Sequence, residues 1–119
     1  MSTLILFLLL TKHVIFDYFL QSWWMIKDKS IYGAFGGIVH ASLHGVGTFA
    51  ALLFFTPTVF AFLLAVADSL IHYHVDYIKS AWMKKNNPST NSQAYWIAHG
   101  IDQYAHIMTY VMIVLLLTL

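Results

Sequence analysis

The sequence predicts an all-α protein, an integral membrane bundle of four helices in antiparallel up-down order. Three observations predict this fold. Of the 119 residues, 60% are hydrophobic and only 9% are charged, far from the composition of ordinary soluble domains. A membrane-spanning helix needs about 20 apolar residues, so this length allows about four spans with short connections. Polar interruptions divide the chain into four such segments.

The four predicted spans form one domain over residues 1–119. They cover about residues 4–24, 35–55, 57–82 and 95–119. The connections are the Lys27-Asp28-Lys29 stretch, the tight Thr56-Pro57 turn and the polar run 84–93. Proline suits the first turn of a helix, so Pro57 marks the start of the third span. Short connections favour antiparallel packing of consecutive helices.

The lysine distribution predicts the orientation of the spans. Four lysines lie in the first and third connections, and none lies in the second. Positively charged loops favour the cytoplasmic side, so both termini are expected outside. No basic residue precedes the first apolar segment, and no small-residue cleavage pattern follows it. We therefore expect that segment to be a permanent span and not a signal peptide.

Composition also excludes several function classes. The sequence has no Cys, Arg or Glu, and its formal net charge is +1. These features exclude disulfides, thiolate metal sites, cysteine nucleophiles and arginine clamps on phosphate. They also argue against a nucleic-acid partner, which would require a basic surface. His, Asp and Lys remain as the residues that could carry chemistry.

Each predicted span carries one pair of ionisable residues spaced four apart. The pairs are His13 and Asp17, His40 and His44, His72 and Asp76, and Asp102 and His106. Residues four apart project from the same face of a helix, so each pair directs two side chains to one place. An Asp at the centre of a membrane helix costs roughly 2.5 to 3.5 kcal/mol. The spans therefore predict partners that offset these charges.

The spacing predicts a metal site in one half of the bundle core. All four pairs are expected near the lysine-bearing connections, whereas the opposite half is almost purely apolar. Imidazole and carboxylate groups from facing helices are typical of di-metal sites in bundle cores. The pairs exceed the ligands that one ion needs, so we expect two divalent cations, zinc first, with manganese or iron as alternatives. Asp68 lies one helical turn before His72, and His99 lies two turns before His106, so each extends the row of polar side chains on its helix face. His99 is a further candidate ligand.

Three more residues are expected beside the metal. Gln21 and Gln103 adjoin candidate ligands, which their amides would orient by hydrogen bonds. Lys79 lies three residues after Asp76 on the same helix face and would contact a substrate phosphate. In the alternative interpretation, the polar residues form interhelical hydrogen bonds without metal, and Lys79 extends to the headgroups.

Four motifs carry a family resemblance. They are His13-Val-Ile-Phe-Asp17-Tyr-Phe-Leu-Gln21, His40-Ala-Ser-Leu-His44, His72-Tyr-His-Val-Asp76-Tyr-Ile-Lys79 and Asp102-Gln103-Tyr-Ala-His106. In their order and spacing the sequence resembles the domain-of-unknown-function family DUF3307, small bacterial and phage membrane proteins with four helices. This resemblance implies an architecture and a site, and it does not extend to Asp68 and His99. A weaker resemblance to membrane-bound metal-dependent hydrolases implies hydrolysis and a bacterial inner-membrane location.

The leading hypothesis is a membrane-embedded metal-dependent hydrolase. Its substrate would be lipid-like or amphiphilic and would enter from the cytoplasmic leaflet. A phosphoester is the first candidate for the bond that is cleaved. The metals would activate water and polarise the scissile group. Asp68 or Asp76 would be the general base, and Lys79 would contact the leaving group or phosphate. Membrane lipids would be the partners.

Three alternatives belong to other classes. A metal-ion transporter or intramembrane metal sensor would use the same ligands, but transport needs a polar route to both faces. A di-iron or haem redox protein is disfavoured, because di-iron bundle sites usually draw on Glu and a carboxylate accompanies nearly every His. A purely structural small membrane protein would leave the ordered ionisable layer unexplained. The sequence does not decide whether the protein self-associates into a homo-oligomer.

Overall fold

The fold consists of helices alone. The computed structural model describes all 119 residues and contains no strand. Its helices are α1 (Ser2–Val14), continued by a π-helical turn (Ile15–Phe19), α2 (Trp23–Asp28), α3 (Phe35–Leu52), α4 (Thr58–Asn86) and α5 (Gln93–Thr118). The predicted all-α class is confirmed. Four helical segments are long and apolar enough to cross a membrane, namely Ser2–Phe19, Phe35–Leu52, Thr58–Asn86 and Gln93–Thr118.

The first of these segments ends earlier than the sequence indicated. Helix α1 passes into the π-helical turn at Ile15, and the helical conformation ends near Leu20. Ser22 is extended, and α2 begins at Trp23 as a separate short helix that packs against α3. At this break only Gln21 and Ser22 interrupt a segment that is otherwise apolar from Tyr18 to Ile26, so hydropathy gave little sign of it. The π-helical turn contains Asp17, and such turns are frequent at functional sites.

Local signals fix the ends of α4 and α5. Pro57 immediately precedes α4. Proline lacks a backbone N–H, and this costs nothing here because the first N–H groups of a helix have no acceptor within the helix. Asn87 ends α4 in the left-handed conformation, with φ of 41°, which Asn tolerates better than most residues. Ser92 caps α5, because its hydroxyl accepts a hydrogen bond from the Tyr95 N–H at 3.3 Å.

The four long helices form a ring of antiparallel neighbours. Helix α3 contacts α1 and α4, and α5 contacts the same two helices. Helices α3 and α4 are antiparallel. Gly37, early in α3, lies against Tyr73, whereas Thr48, later in α3, contacts the earlier residue Asp68 of α4, to which its hydroxyl donates a hydrogen bond. The contacts of α5 with α4 reverse in the same way, since Lys79 lies beside Asp102 and Asp76 beside His106. Between the first segment and α3, Lys12 lies beside His44 and Asp17 beside His40. Consecutive long helices therefore alternate in direction around the ring.

Helices α3 and α4 approach each other closely at Gly45. A Cβ at this position would overlap Ser69 Oγ and lie 3.0 Å from the Ala65 carbonyl oxygen. Ser69 Oγ also donates a hydrogen bond to the Ala41 carbonyl oxygen at 3.0 Å. Small residues at helix interfaces are how apolar helices pack closely in membranes. This contact brings the histidines of α3 within reach of those on α4.

The bundle interior has an apolar half and a polar half. The apolar core consists of seven buried residues, Ile5, Leu9, Leu52, Ala61, Leu64, Tyr110 and Ile113. Most of the buried His, Asp and Lys side chains lie in the other half. The outward faces are apolar, with Phe7 63% and Phe54 88% exposed. An apolar exterior around a partly polar interior is the reverse of the usual distribution in soluble proteins.

Candidate metal centre

Six ionisable side chains converge in the polar half of the bundle. The first group is Asp17, His40, His44 and His72, and the second group is His72, Asp76 and His106. Within each group the ligand atoms lie within 4.8 Å of one another. The five members other than Asp17 are buried, and the Asp17 side chain is only 8% exposed. All six belong to the i,i+4 pairs of the sequence, and His72 is common to both groups.

In the first group, three imidazoles direct the same ring nitrogen at one carboxylate. Asp17 Oδ1 lies 3.0 Å from His40 Nε2, 3.0 Å from His44 Nε2 and 3.8 Å from His72 Nε2. The π-helical turn carries Asp17 to this position from α1, while α3 and α4 supply the histidines. One carboxylate with three imidazoles is a four-ligand set that suits zinc and other divalent transition metals.

The second group adjoins the first across stacked imidazole rings. His106 Nε2 lies 3.3 Å from Asp76 Oδ1, and His72 Nε2 lies 3.4 Å from Asp76 Oδ2. The His72 ring stacks between those of His44 and His106, at centroid distances of 3.6 Å and 4.0 Å.

Hydrogen bonds within the protein do not satisfy these histidines. The Nε2 atoms of His40 and His72 face each other at 3.2 Å, and the Nδ1 atom of each ring is buried without a partner. Buried polar atoms normally have at least one hydrogen-bond partner. Three Nε2 atoms gather at one carboxylate oxygen, two of them 3.2 Å apart, and this crowding of lone-pair atoms fits a cation better than a hydrogen-bond network.

Three lysines already offset three of the aspartates in the spans. Lys12 Nζ lies 2.7 Å from Asp68 Oδ2, Lys29 Nζ lies 2.7 Å from Asp76 Oδ2, and Lys79 Nζ lies 3.9 Å from Asp102 Oδ2. Asp17 has histidines as its only ion-pair partners within 4.0 Å. The unbalanced negative charge is therefore centred on the first group.

His13 lies beside the first group and not within it. Its Nε2–H donates to Gln103 Oε1 at 3.0 Å and lies 3.2 Å from Asp17 Oδ2, while the Tyr110 hydroxyl donates to its Nδ1 at 2.9 Å. Gln103 Nε2 donates in turn to Asp102 Oδ2 at 3.0 Å, which fixes the orientation of the amide. Both ring nitrogens of His13 are thus engaged, so its geometry is that of a residue that orients Asp17.

The remaining predicted site residues lie at different distances from the two groups. Asp102 adjoins the second group, with Oδ1 3.5 Å from His106 Nε2. Asp68 stands outside both groups, where its Oδ2 accepts hydrogen bonds from Lys12 and Thr48. Gln21 donates through its amide to the Asp17 carbonyl oxygen at 2.9 Å. His99 is half-buried, its ring lies against Trp96, and it joins neither group.

Sequence reasoning missed Lys12 and Lys29. Lys12 lies inside the first predicted span next to His13, and an ionisable residue at that depth is a functional candidate by default, so a signal existed. Lys29 was assigned to the cytoplasmic connection. It reaches the interior because the chain breaks after Phe19 and α2 returns it to the bundle, and no local pattern indicates that path.

Comparison with known proteins gives the family but no activity. A family model described as a protein of unknown function (DUF3307) matches residues 5–119. The chain therefore belongs to this family, as its four motifs predicted. No curated protein and no solved structure matches it.

Proposed function

We propose that this member of the DUF3307 family is a membrane-embedded, metal-dependent hydrolase that acts on a lipid-like substrate. One observation carries the proposal: Asp17, without a lysine partner, meets the Nε2 atoms of two histidines at 3.0 Å and of a third at 3.8 Å. The four helices of membrane length and their apolar outer faces support a bilayer setting. We propose that this bilayer is a bacterial inner membrane and that both termini lie outside.

The first group is the proposed resident metal site. Zinc is our first choice because Asp17, His40 and His44 would supply the three protein ligands of a catalytic zinc site, while the more distant His72 would leave the fourth position to water. Manganese or iron would accept the same ligands. A metal held there supplies an activated water and polarises the scissile bond. The sequence predicted two ions, and the second group would hold the other one. A second ion would have to displace Lys29 from Asp76, so one ion per chain is the loading we propose.

The second group supplies the proposed proton transfer. Asp76 lies next to the first group, with Oδ2 3.3 Å from His40 Nε2, and is our candidate general base. Lys79 on the same helix is the candidate contact for a phosphate or a leaving group. Asp68, the other base considered, lies outside both groups, and we assign it the role of holding Lys12 near His44.

The test begins with metal content and proceeds to turnover. Protein purified without a His-tag or chelator is analysed by inductively coupled plasma mass spectrometry, beside Asp17→Asn and His44→Gln variants. We expect about one equivalent of a divalent metal in the unmodified chain and its loss in both variants. Absence of metal after attempted reconstitution would overturn the proposed site. Two equivalents would restore the two-ion interpretation.

Hydrolysis is then measured on phospholipids by phosphate or fatty-acid release. Asp76→Asn should abolish turnover while the metal stays bound. If purified, metal-loaded protein hydrolyses no membrane lipid, the hydrolase assignment fails and a metal-binding protein remains. The transporter alternative needs a polar route through the other half of the bundle, where the seven-residue apolar core fills the interior. Metal uptake into proteoliposomes would favour it.

A further inference from the structure

A groove on the outer surface between α4 and α5 leads to the candidate site. Its volume is about 550 Å³, within the range of small-molecule pockets. Eight of its ten lining residues are hydrophobic. Ile78, Ile97 and Ile101 form its walls and are 65%, 52% and 65% exposed, so the groove opens toward the lipid phase of a bilayer.

The two charged residues of the groove lie together. Lys79 and Asp102 are the only non-hydrophobic residues that line it, and Lys79 Nζ is 3.9 Å from Asp102 Oδ2. The Asp102 side chain is 2% exposed, and its Oδ1 has no hydrogen-bond partner. This oxygen faces His106 in the bundle interior, so Lys79 is the polar group that the groove offers to a ligand.

The groove is continuous with the candidate metal centre. Asp102 Oδ1 lies 3.5 Å from His106 Nε2, and His106 belongs to the second group beside Asp76. A molecule whose polar part reaches Lys79 and Asp102 is therefore one side chain away from the proposed general base. Trp82 lines the groove one helical turn beyond Lys79, in the direction of the polar connection that carries Lys84 and Lys85.

These features fit an amphiphile of defined charge. The isoleucine walls suit a hydrocarbon chain, and the Lys79 ammonium suits a phosphate oxygen. A free phosphate compound would leave the apolar walls in contact with water, so a membrane lipid is the better occupant.

We propose that this groove binds an anionic phospholipid, with its hydrocarbon chain along Ile78, Ile97 and Ile101 and its phosphate at Lys79. The role of this lipid as the substrate rests on the proposed function. The binding itself requires neither metal nor turnover.

The experiment measures lipid binding by the full-length, metal-free chain in detergent with native mass spectrometry. The probes are phosphatidylglycerol, diacylglycerol with the same acyl chains, and glycerol phosphate without chains. We expect phosphatidylglycerol to bind about tenfold more tightly than diacylglycerol, and glycerol phosphate not to bind. Lys79→Gln should remove the preference for phosphatidylglycerol. Equal binding of both lipids to the unmodified chain would overturn the proposal.

A bulky substitution in the groove supplies the matched comparison. Ile101→Trp fills the groove and should weaken phosphatidylglycerol binding about tenfold. Ile107→Trp places the same bulk on another exposed face of α5 and should leave binding unchanged. Equal weakening by both variants would mean general lipid contact, and unchanged binding in Ile101→Trp would mean that the groove is not the site. A change from dimer to monomer in Ile101→Trp would assign the groove to a second copy of the chain. Each of these three results would overturn the proposal.

Metal analysis of the same samples separates the two proposals. If the unmodified chain binds phosphatidylglycerol in the groove but takes up no metal, the proposed function fails and the lipid site stands. If the chain takes up metal and hydrolyses lipid at the same rate with Ile101→Trp, the groove fails and the proposed function stands.

Discussion

Lys12 Nζ lies 2.7 Å from Asp68 Oδ2 in an ion pair that is buried between α1 and α4. Thr48 on α3 donates to the same carboxylate oxygen at 2.6 Å, and Lys12 also donates to the His44 carbonyl oxygen at 3.1 Å. Three helices thus meet at one charged contact next to the first group. This contact fixes the position of His44 relative to Asp17, so it links the stability of the bundle to the geometry of the candidate metal site.

Breaking this pair from one side should be costly. Lys12→Met leaves the Asp68 carboxylate buried without a counter-charge, and loss of one partner of a buried pair costs about 3 to 5 kcal/mol. Lys12→Met combined with Asp68→Leu removes both charges and should recover most of that loss. Unfolding titrations of the protein in detergent measure both variants. Lys84→Met, at the exposed end of α4, is the control and should change the free energy of unfolding by less than about 0.5 kcal/mol. A double variant as unstable as the single one would show that Lys12 acts through packing and not through the pair.

Lys29 should limit how much metal the chain takes up. Its Nζ lies 2.7 Å from Asp76 Oδ2, where it competes with any cation for the carboxylate of the second group. Lys29→Met removes this competitor, so we expect uptake to rise from about one to about two equivalents when the metal is in excess. Elemental analysis after dialysis measures the stoichiometry. Lys27→Met removes a charge from the same segment at an exposed position and should leave uptake at one. Unchanged uptake in Lys29→Met would mean that the second group is not a metal site.

The fold was largely accessible from the sequence because hydropathy and helical periodicity are properties of the chain itself. The four apolar stretches indicated four helices of membrane length, and each overlaps one such helix. The exception is the segment after Phe19, where the chain leaves the helix although only Gln21 and Ser22 interrupt its apolar residues. Only tertiary contacts account for that break, since α2 packs on α3 and the return of the chain allows Lys29 to reach Asp76.

The close approach at Gly45 should make this glycine indispensable to packing. In Gly45→Ala the new Cβ would overlap Ser69 Oγ and press on the Ala65 carbonyl oxygen, which is backbone and cannot turn aside. Overpacking of this kind costs about 1 to 3 kcal/mol. Gly100→Ala is the matched control, because its Cβ would meet nothing within 4 Å and alanine favours a helix by up to about 1 kcal/mol. Unfolding titrations should therefore give changes of opposite sign. Equal changes would mean that the α3–α4 contact is looser than its geometry indicates.

The site was accessible from the sequence as a layer but not as a coordination sphere. Spacing of four residues and similar depth placed His13, Asp17, Asp102 and His106 together, because both follow from helix geometry. Which residue of each i,i+4 pair points to the centre of the bundle depends on the rotation of each helix about its axis and on the π-helical turn. The spacing of residues in the sequence shows neither. His99 had the right spacing from His106, yet it lies on the part of α5 beside Trp96, away from both groups.

The role of His13 can be tested separately from that of the candidate ligands. With its Nε2–H on Gln103 and Asp17 and its Nδ1 accepting from Tyr110, His13 has no free lone pair to offer a metal. Replacing a residue that orients a ligand lowers metal affinity by about 10- to 100-fold without removing the site. His13→Gln should therefore keep one equivalent of metal at saturation with a weaker dissociation constant, measured by competition with a chelator. His44→Gln should lose the equivalent altogether, because His44 Nε2 lies 3.0 Å from Asp17 Oδ1 within the first group. If His13→Gln also loses the ion at saturating metal, then His13 is itself a ligand, and its hydrogen bonds to Gln103 and Tyr110 must rearrange when the metal binds.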